Sequence, residues 1–496
     1  MTNHILVLDE GTTSTRAVLF NDKSEVVDEE SLPIAIHTPQ FGHVEHDAQE
    51  IIDASVKVLR AVIERAASAG QVIDCLAITN QRTATTVMER ATGRALTPTI
   101  SWQDARAALR SEALTESMGA EYFRTTGMNL AAANVGLHVE ELFKDEELKA
   151  RSGTGELLIG TPDVLMVKAL TGNDYISAAN ASCTGILNQH TGTWYNEFLE
   201  LCGLSEKDLP TVLPEDGDYG LTLKEVLGVE LPVAAVVPDQ QSALFGHGGL
   251  AEGSVKCTHG TGSFIDFNIG DKLLSESEGV DGRYGWRISS GAVNIVEGST
   301  WVSGSAVEWM IDDLKILSSA RELDEKCAQS TNPECIVVPA LAGFAAPYWD
   351  GESRGTIFGL SRHTSDADIV RACIEGVAHT VVDLLEVISE STGASVSSLA
   401  VDGGLSKSDY LQQVTADLLG ARVERTKDAG YVTARGAAWI AGIRRGIWSS
   451  PEDAMTTLGI DKSFEPQIST QERAARREGW KDAVGRSLNW KPRVLA

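Results

Sequence analysis

Apolar residues recur along this chain with two different spacings. The short apolar run Ile5–Leu8 ends at Asp9, turns through a segment rich in Gly and hydroxyl residues, and returns as the largely apolar stretch 16–20. A segment of the same layout runs through residues 254–267, about half a chain later. Each pattern predicts a β-hairpin. Two such hairpins predict two related lobes with a cleft between them, although two unrelated Gly-Thr turns would give the same pattern.

Stretches with helical spacing separate the predicted strands. Apolar residues at every third or fourth position predict helices over residues 48–69 and 367–391. Short apolar strands are predicted between such helices at residues 75–79, 234–237 and 399–401. This alternation is typical of the α/β class. No Pro- or Ser-rich linker divides the chain, so we place the domain boundary near residue 250, which gives domains over residues 1–250 and 251–496.

Length, composition and charge narrow the class of protein. The chain has 496 residues, 43% of them hydrophobic, which is too long for one ordinary core and too apolar for a disordered protein. Lys and Arg total 42 against 70 Asp and Glu, for a formal net charge of −28. Such a surface disfavours nucleic acid and anionic membrane as partners. A solvated acidic surface explains this charge without naming a substrate.

The cysteines and the amino terminus favour a reducing cytoplasm. The seven cysteines are scattered and form no Cys-x-x-Cys pair, which argues against a disulfide framework or a structural zinc site. Residues 1–9 carry no basic region of a signal peptide. The apolar run 336–347 is short and contains Pro339 and Gly343, so it is predicted to be a core segment and not a membrane span. The oligomeric state, monomer or homo-oligomer, stays open.

Three turns have the composition of a phosphate-binding loop. In the turn 9–16, Gly allows close approach of the backbone, N–H groups and hydroxyls can donate to oxygens, and Asp9 could hold Mg²⁺ directly or through water. The turns 260–262 and 402–406 are similar, and for them a purely structural turn is the competing interpretation. The first strand is followed by neither a Walker loop nor Gly-x-Gly-x-x-Gly, which disfavours a dinucleotide enzyme.

Polar residues also follow several predicted strands. Asp239 comes directly after the strand 234–237 and Pro238, where a carboxylate facing a cleft can accept a hydroxyl proton during phosphoryl transfer. Asn80–Arg82 and Trp102 stand in similar places, and each taken singly is compatible with a structural role. None of the ten histidines forms a ligand pair at metal spacing, so no transition-metal site is predicted.

Taken together, these segments resemble the FGGY family of carbohydrate kinases, and its glycerol-phosphorylating members in particular. The similar segments follow the family order over nearly the whole chain: 8–16, 42–47, 78–82, 239–246, 260–264, 346–350, 355–360, 368–375 and 402–404. The resemblance implies two ribonuclease H-like, actin-like ATPase lobes with ATP and Mg²⁺ in the cleft. It also implies transfer of the γ-phosphate to a terminal hydroxyl of a small polyol or sugar, with glycerol as the family default.

The resemblance further implies roles for individual residues. Asp239 corresponds to the catalytic base and Asp9 to the metal-associated carboxylate. The residues at substrate-contacting positions are Arg82, Thr83, Trp102, Asp239, Gln240 and Phe264. The residues at nucleotide-contacting positions are Thr12, Thr13, Ser14, Arg16, Thr261, Gly304, Glu308, Gly404 and Ser408. Of these, Glu308 and Ser408 stand where family members often carry amides.

The substrate site departs from the family pattern. Thr83 stands where the glycerol-phosphorylating members carry a Glu that holds a substrate hydroxyl, and Ala133 stands where they place a Tyr against the polyol. His138 and Glu141 replace a Lys and a Trp of the family's first signature. Losing a carboxylate and an aromatic ring removes two contacts and opens space, so specificity should change. A tetritol, pentitol or pentulose is therefore the alternative to glycerol.

Two other functions share the predicted lobes. A non-metabolic actin-like ATPase, such as a chaperone or filament protein, would use the same two hairpins. The segments 239–241 and 80–82 and the side chain of Trp102 favour a small-molecule pocket instead. A relative that has lost activity and binds only nucleotide is the other alternative, because Thr83 and Ala133 are altered.

Overall fold

The computed structural model describes residues 3–274, 276 and 279–490, in which strands and helices alternate. The strands of the N-terminal half are β1 (Asn3–Glu10), β2 (Ser14–Phe20), β3 (Val26–Pro33), β4 (Glu45–His46), β5 (Val72–Asn80), β6 (Thr86–Glu89), β7 (Thr99–Ile100), β8 (Leu157–Gly160), β9 (Tyr175–Ser177), β10 (Thr211–Leu213) and β11 (Val233–Pro238). Its helices are α1 (Ala48–Ser68), α2 (Ala108–Thr126), α3 (Val135–Leu142), α4 (Glu146–Ala150), α5 (Pro162–Thr171), α6 (Ala178–Cys183), α7 (Asn196–Leu201), α8 (Lys224–Leu227) and α9 (Asp239–Gly246).

The C-terminal half contains a second series of strands and helices. Its strands are β12 (Ser254–His259), β13 (Ser263–Gly270), β14 (Asp281–Ile288), β15 (Gly291–Thr300), β16 (Ile336–Val338), β17 (Thr356–Phe358), β18 (Ser398–Gly403), β19 (Arg422–Thr426) and β20 (Ile460–Phe464). Its helices are α10 (Gly304–Asp312), α11 (Leu323–Ala328), α12 (Asp366–Thr392), α13 (Asp409–Leu419), α14 (Val432–Arg444), α15 (Pro451–Met455) and α16 (Thr470–Ser487). The two predicted long helices are confirmed as α1 and α12.

The first sheet places the ends of three parallel strands side by side. Its strand order is β11-β5-β1-β2-β3, with β1 and β2 forming the predicted hairpin. Strands β5 and β11 run parallel to β1, and Asn80 is paired with both Glu10 and Pro238. Because the carboxyl ends of parallel strands meet at one edge of a sheet, the residues that follow these strands lie close together. Asp9, Arg82 and Asp239 therefore share one edge.

The second sheet repeats this arrangement. Its order is β14-β15-β13-β12-β18-β19-β20, with the predicted hairpin β12–β13 at its centre. Strand β18 runs parallel to β12, and β19 runs parallel to β18, as β5 and β11 do beside β1. His259 pairs with Gly403 at the edge, in the place that Glu10 and Asn80 occupy in the first sheet. The prediction of two related halves from the two hairpins is confirmed.

Each sheet packs against helices through the apolar residues at alternate positions of its strands. Helix α1 covers one face of the first sheet, and Asp47 caps its start by accepting the N–H of Gln49 at 2.8 Å. The core on this side includes Leu6, Leu8, Ile51, Val58 and Leu59. In the second sheet, Val255, Ile265 and Leu399 pack against Val381 and Leu384 of α12.

Helices α9 and α14 cover the other face of the first sheet. Ile5 and Val7 of β1 share a core with Leu244 of α9 and Trp439 of α14. Because α14 follows β19 in the chain, this helix connects the two halves through one core. The division of the chain at residue 250 separates the two sheets, and it stays a prediction.

The remaining sequence expectations concern cysteines and membrane spans. All seven cysteines are buried and unpaired. Val338 and Phe344 of the apolar run 336–347 are buried in a small core with Trp480, so this run is a core segment, as predicted. No helix in the described part of the chain is long and apolar enough to cross a membrane.

Candidate active site

A cleft of about 500 Å³ lies between the edge of the first sheet and one face of the second. Seven of the predicted site residues line it: Thr12, Arg82, Thr83, Trp102, Asp239, Gln240 and Phe264. Ala133 lines it as well. The structure therefore brings together residues that lie up to 252 positions apart between Thr12 and Phe264 in the sequence.

Asp239 lies at the floor of the cleft as the first residue of α9. Its Oδ1 accepts the N–H of Gln240 at 2.7 Å and lies 3.2 Å from Nε of Arg82. Burial raises the pKa of Asp239, and the Arg82 guanidinium acts in the opposite direction. A carboxylate with a raised pKa that stays oriented by an arginine is suited to accept a proton.

Arg82 connects the two sheets across the floor of the cleft. Besides Asp239 it binds Glu297, which lies on β15 of the second sheet. Burial works against the charge of Glu297, but Arg82 and Arg283 outweigh it and lower the pKa of this carboxyl group. The three groups form a chain of alternating charges, Asp239–Arg82–Glu297, that fixes the Arg82 side chain.

A row of charged residues crosses the second sheet beneath the cleft. The strand register pairs Lys256 with Asp266, Asp266 with Glu297, and Glu297 with Asp281, so their side chains lie on the same face. Nζ of Lys256 lies 2.7 Å from Oδ2 of Asp266 and also donates to Oε1 of Gln240. The row therefore holds the side chain of Gln240, which is one of the predicted substrate-contacting residues.

The first glycine-rich turn lies between β1 and β2, where the Asp9 carboxylate forms an ion pair with Arg16 at 2.8 Å. Arg16 also donates to the carbonyl of Gly430 at 3.0 Å, just before α14. The indole Nε1 of Trp102 donates to Oγ1 of Thr12 at 3.0 Å. The side of the cleft formed by Trp102 is thus tied to the loop. Thr13 is exposed and Ser14 is half-buried.

Glu10, directly after Asp9, is fully buried. Its Oε1 accepts a hydrogen bond from Nε2 of Gln81 at 3.1 Å, and its Oε2 has no hydrogen-bond partner in the described part of the chain. Burial raises the pKa of Glu10 to about 8, the Gln81 hydrogen bond opposes this, and the nearby carboxylates of Asp9 and Asp239 add to it. Apart from its place at the end of β1, nothing in the sequence marks Glu10 as part of the site.

The second glycine-rich turn is bound to the start of α10. The carbonyl of Thr261 accepts the N–H of Ser303 at 2.8 Å, and the N–H of Gly304 donates to the carbonyl of Gly260 at 2.9 Å. A Cβ on Gly304 would lie 2.6 Å from that carbonyl oxygen, so only glycine allows this approach. Glu308 is exposed one turn further along α10.

The third turn follows β18 and leads to α13. Because Gly403 pairs with His259, the exposed Gly404 lies beside the second turn. Ser408, in contrast, is buried as the cap of α13: its hydroxyl accepts the N–H of Leu411 at 3.1 Å and donates to Asp324. The structure thus brings Thr261, Gly304 and Gly404 together and gives Ser408 a structural role.

The polar residues closest in sequence to the altered position Ala133 do not replace the missing groups. The hydroxyl of Thr83 donates to the carbonyl of Arg82 at 2.8 Å. Asn134, next to Ala133, donates to the hydroxyl of Tyr122 at 2.7 Å and caps α3. His138 is fully buried and bonded to Thr85 at 2.9 Å. Asn134 and His138 are therefore held by these hydrogen bonds and do not supply the missing carboxylate or ring.

Two family models cover most of this chain. Residues 4–246 match the N-terminal domain of the FGGY family of carbohydrate kinases, and residues 255–444 match its C-terminal domain. The chain belongs to the FGGY family of carbohydrate kinases. The predicted enzyme class, an ATP-dependent carbohydrate kinase, and the predicted pair of ribonuclease H-like, actin-like lobes are thereby confirmed.

Individual relatives of this FGGY kinase match over their full length. It is 37% identical to glycerol kinase 2 of Thermotoga maritima, over 99% of this chain and 100% of the relative. It is 38% identical to the glycerol kinase of Pseudothermotoga lettingae, over 98% and 99% of the two chains. The crystal structure of Plasmodium falciparum glycerol kinase with ADP superposes with a TM-score of 0.94 at 26% identity, covering 99% of each chain. A ligand-bound xylulose kinase from Lactobacillus acidophilus, at 19% identity and a TM-score of 0.84, covers 97% of each chain and shares the fold.

Sequence reasoning missed four charged residues of this FGGY kinase: Arg283 and Glu297, which line the cleft, and Lys256 and Asp266, which lie beneath it. A signal was available for the last two. Lys256 stands between Val255 and Cys257, and Asp266 stands between Ile265 and Phe267. A charged residue inside an otherwise apolar strand is rare in a core, because an unpaired buried charge is costly. Such residues are therefore candidates for a polar face beside a site.

Proposed function

We propose that this kinase transfers the γ-phosphate of ATP to a terminal hydroxyl of a small polyol, with glycerol as the default substrate. The observation that carries the proposal is the chain of charges Asp239–Arg82–Glu297 on the floor of a cleft bordered by glycine-rich turns. Two relatives that match over their full length are named glycerol kinases, which supports glycerol as the acceptor.

Asp239 acts as the general base in this proposal. Its raised pKa favours proton transfer from a substrate hydroxyl, and the ion pair with Arg82 keeps the carboxylate oriented. Gln240, held by Lys256, and the rings of Trp102 and Phe264 contact the carbon chain and the other hydroxyls. Thr83 contributes to the same site through its position beside Arg82.

The nucleotide binds across the three glycine-rich turns. Thr12, Thr13, Ser14 and Arg16 contact its phosphates from the first turn, where N–H groups and hydroxyls can donate to oxygens. The residues proposed to contact the remainder of the nucleotide are Thr261, Gly304, Glu308 and Gly404. Ser408, the last of the predicted nucleotide-contacting residues, is proposed to support the site indirectly through the cap of α13, because its hydroxyl already has two partners.

Asp9 is the proposed metal-associated residue. No three His, Cys, Asp or Glu side chains converge on a metal position among the residues that the structure describes. One partly exposed carboxylate nevertheless fits Mg²⁺, which keeps several waters and is usually held by one or two carboxylates together with substrate phosphates. When bound, the ion would neutralise phosphate charge. Asp9 would then exchange its ion pair with Arg16 for the ion and its waters.

A longer polyol or a ketose is the second candidate substrate. Ala133 itself supplies no ring to the cleft, and neither Asn134 nor His138 replaces the carboxylate missing at Thr83. We also propose that the enzyme works in a reducing cytoplasm, since all seven cysteines are unpaired. Its proposed partners are small molecules, and not nucleic acid or membrane. A homo-oligomer is compatible with these features.

A substrate panel tests the proposal. Purified protein with ATP and Mg²⁺ is mixed with glycerol, tetritols, pentitols or ketoses, and ADP formation is followed. We expect substrate-dependent ADP release with at least one of these acceptors. Equal ADP release with and without every acceptor would favour an ATPase, and binding of ATP with no turnover would favour an inactive relative.

A further inference from the structure

The end of the cleft beyond the reacting hydroxyl contains an arginine that the family resemblance does not account for. Arg283 lies on β14 and lines the cleft together with Thr83 and Ala133. Its side chain is only 8% exposed. It also reaches the loop that carries Ala133, because its Nη1 lies 3.6 Å from the sulfur of Met128.

Some N–H donors of the Arg283 guanidinium have no strong hydrogen-bond acceptor among the described residues. Its Nη2 donates to Asp281 at 3.0 Å and lies 3.3 Å from Glu297. Among the described residues, the acceptor that its Nη1 reaches is the thioether of Met128, which is a weak acceptor. Its Nε is buried and has no hydrogen-bond partner in the described part of the chain. Buried polar groups are normally paired, so this guanidinium is suited to bind an oxygen that enters the cleft.

The charge of Arg283 is already balanced. Asp281 and Glu297 are cross-strand neighbours, and the carboxylates of both contact the Arg283 guanidinium. The guanidinium therefore lies between two carboxylates. A carboxylate or phosphate on the substrate would bring a third negative charge to this place. A neutral hydroxyl or carbonyl oxygen could accept a hydrogen bond without that repulsion.

We propose that Arg283 is a specificity-determining residue that donates a hydrogen bond to an oxygen on the fourth carbon, or beyond, of a neutral four- or five-carbon polyol or ketose. The inference rests on the proposed function and narrows its substrate class. Ala133 leaves the room that the additional carbons need, and Thr83 does not compete for their oxygens because its hydroxyl is bonded to the Arg82 carbonyl. Glycerol lacks these carbons, so it would leave Arg283 unused.

The test compares substrates on one enzyme and then on two variants. For the wild-type protein, kcat/KM is measured with glycerol, erythritol, threitol, a pentitol and a sugar acid of four carbons. We expect a higher value for a four- or five-carbon neutral substrate than for glycerol, and a lower value for the acid. Arg283→Met, which keeps the length of the side chain and removes its donors, should lower the ratio of tetritol to glycerol kcat/KM about tenfold to a hundredfold. Arg283→Lys, the matched control, should retain part of the ratio.

Several outcomes would overturn the inference. One is a wild-type enzyme that prefers glycerol to every longer substrate, and another is a better rate with the acid than with the neutral polyols. A parallel loss for glycerol and tetritol in Arg283→Met would assign Arg283 a structural role in holding Glu297. If this variant does not fold, the wild-type panel alone decides. Failure of the proposed function looks different, since in that case no acceptor, glycerol included, increases ADP formation.

Discussion

At the scale of single residues, the proposed function depends on one carboxylate, Asp239, whose surroundings act on it in opposite directions. Burial raises the pKa of Asp239, while Arg82 at 3.2 Å limits the rise and fixes the orientation. Burial disfavours the charged carboxylate, whereas Arg82 favours it. A buried carboxylate that is oriented in this way is suited to accept a proton.

Asp239→Asn should therefore abolish turnover and preserve nucleotide binding. Asn has the shape of Asp but cannot accept the proton, so we expect a fall in kcat of about 10²–10⁴-fold. Turnover is measured with the best acceptor of the panel, and ATP binding is measured by calorimetry. Asp22→Asn, the same change at an exposed carboxylate that is not among the residues lining the cleft, is the comparison. A folded Asp239→Asn enzyme with near-normal turnover would remove Asp239 from the role of base.

Glu10 offers a test of stability against pH. Its pKa is raised from 4.5 to about 8 in the folded protein, so between these values the folded state keeps a proton that the unfolded state has lost. The contribution of Glu10 to the free energy of unfolding should therefore be fully present below pH 4.5 and fall as pH rises through this window, by up to about 1.4 kcal/mol per pH unit. Glu10→Gln should remove this contribution and make the variant more stable than wild type at pH 8. Urea unfolding at pH 5, 6.5 and 8 checks this, and parallel curves for both proteins would contradict it.

Restoring the family pattern at the two altered positions should change the substrate preference. Thr83→Glu supplies the missing carboxylate, and Ala133→Tyr fills the open end of the cleft. A charge-assisted hydrogen bond of about 1.5–3 kcal/mol corresponds to about tenfold to a hundredfold in specificity, here toward glycerol. Michaelis parameters of the double variant with glycerol and tetritols measure the change. An unchanged ratio would mean that the two positions do not set the length of the substrate.

At the scale of elements, the charged row across β12, β13, β15 and β14 supports the site from below. Lys256 is fully buried, pairs with Asp266 and donates to Gln240. Such a buried pair is a weak source of stability, but removing one partner leaves the other charge uncompensated. The arrangement is better explained by the orientation it gives to Gln240 than by a gain in stability.

A double-mutant cycle separates these two effects. Lys256→Met alone should destabilise the protein by about 3–5 kcal/mol, because Asp266 loses its partner. Adding Asp266→Leu should restore most of that stability. It should not restore Gln240, so KM for the polyol should stay raised in the double variant. If both stability and KM recover together, the row has no part in substrate binding.

Some elements and site residues of this fold could be predicted from the sequence, and others could not. The hairpins, α1 and α12 were predictable, because their apolar periodicity is local and α1 has a capping aspartate before it. The residues Asp239, Arg82 and Trp102 were predictable from their place after strands and from the family motifs. Arg283 and Glu297 were not, since their importance comes from a cross-strand register that no local pattern contains.

Ser408 carries both a motif signal and a local one. Its position in a motif predicts contact with the nucleotide, and its hydroxyl caps α13 and binds Asp324. A serine followed by Asp and an apolar periodic run is also typical of a helix start. Local capping chemistry therefore accounts for the hydrogen bonds of this hydroxyl, and contact with the nucleotide stays a prediction.

At the scale of the whole molecule, the two halves are joined by polar contacts at the cleft and by a core behind it. Arg82 and Glu297 bridge the cleft floor, and Arg16 reaches the carbonyl of Gly430. Helix α14, which carries Trp439, packs on the first sheet although it follows the second in the chain. Such an arrangement allows the sheets to approach each other while the shared core at α9 and α14 stays packed.

We therefore expect the halves to close when polyol and nucleotide are bound together. Water left in the cleft would otherwise accept the phosphate, so a kinase that is not an ATPase has to exclude it during transfer. Small-angle X-ray scattering of the protein alone, with polyol, with a non-hydrolysable ATP analogue and with both should give the smallest radius of gyration for the last sample. The Asp239→Asn variant allows the same measurement with ATP itself, because it should bind both ligands without turnover. Scattering curves that are identical in all four states would contradict closure.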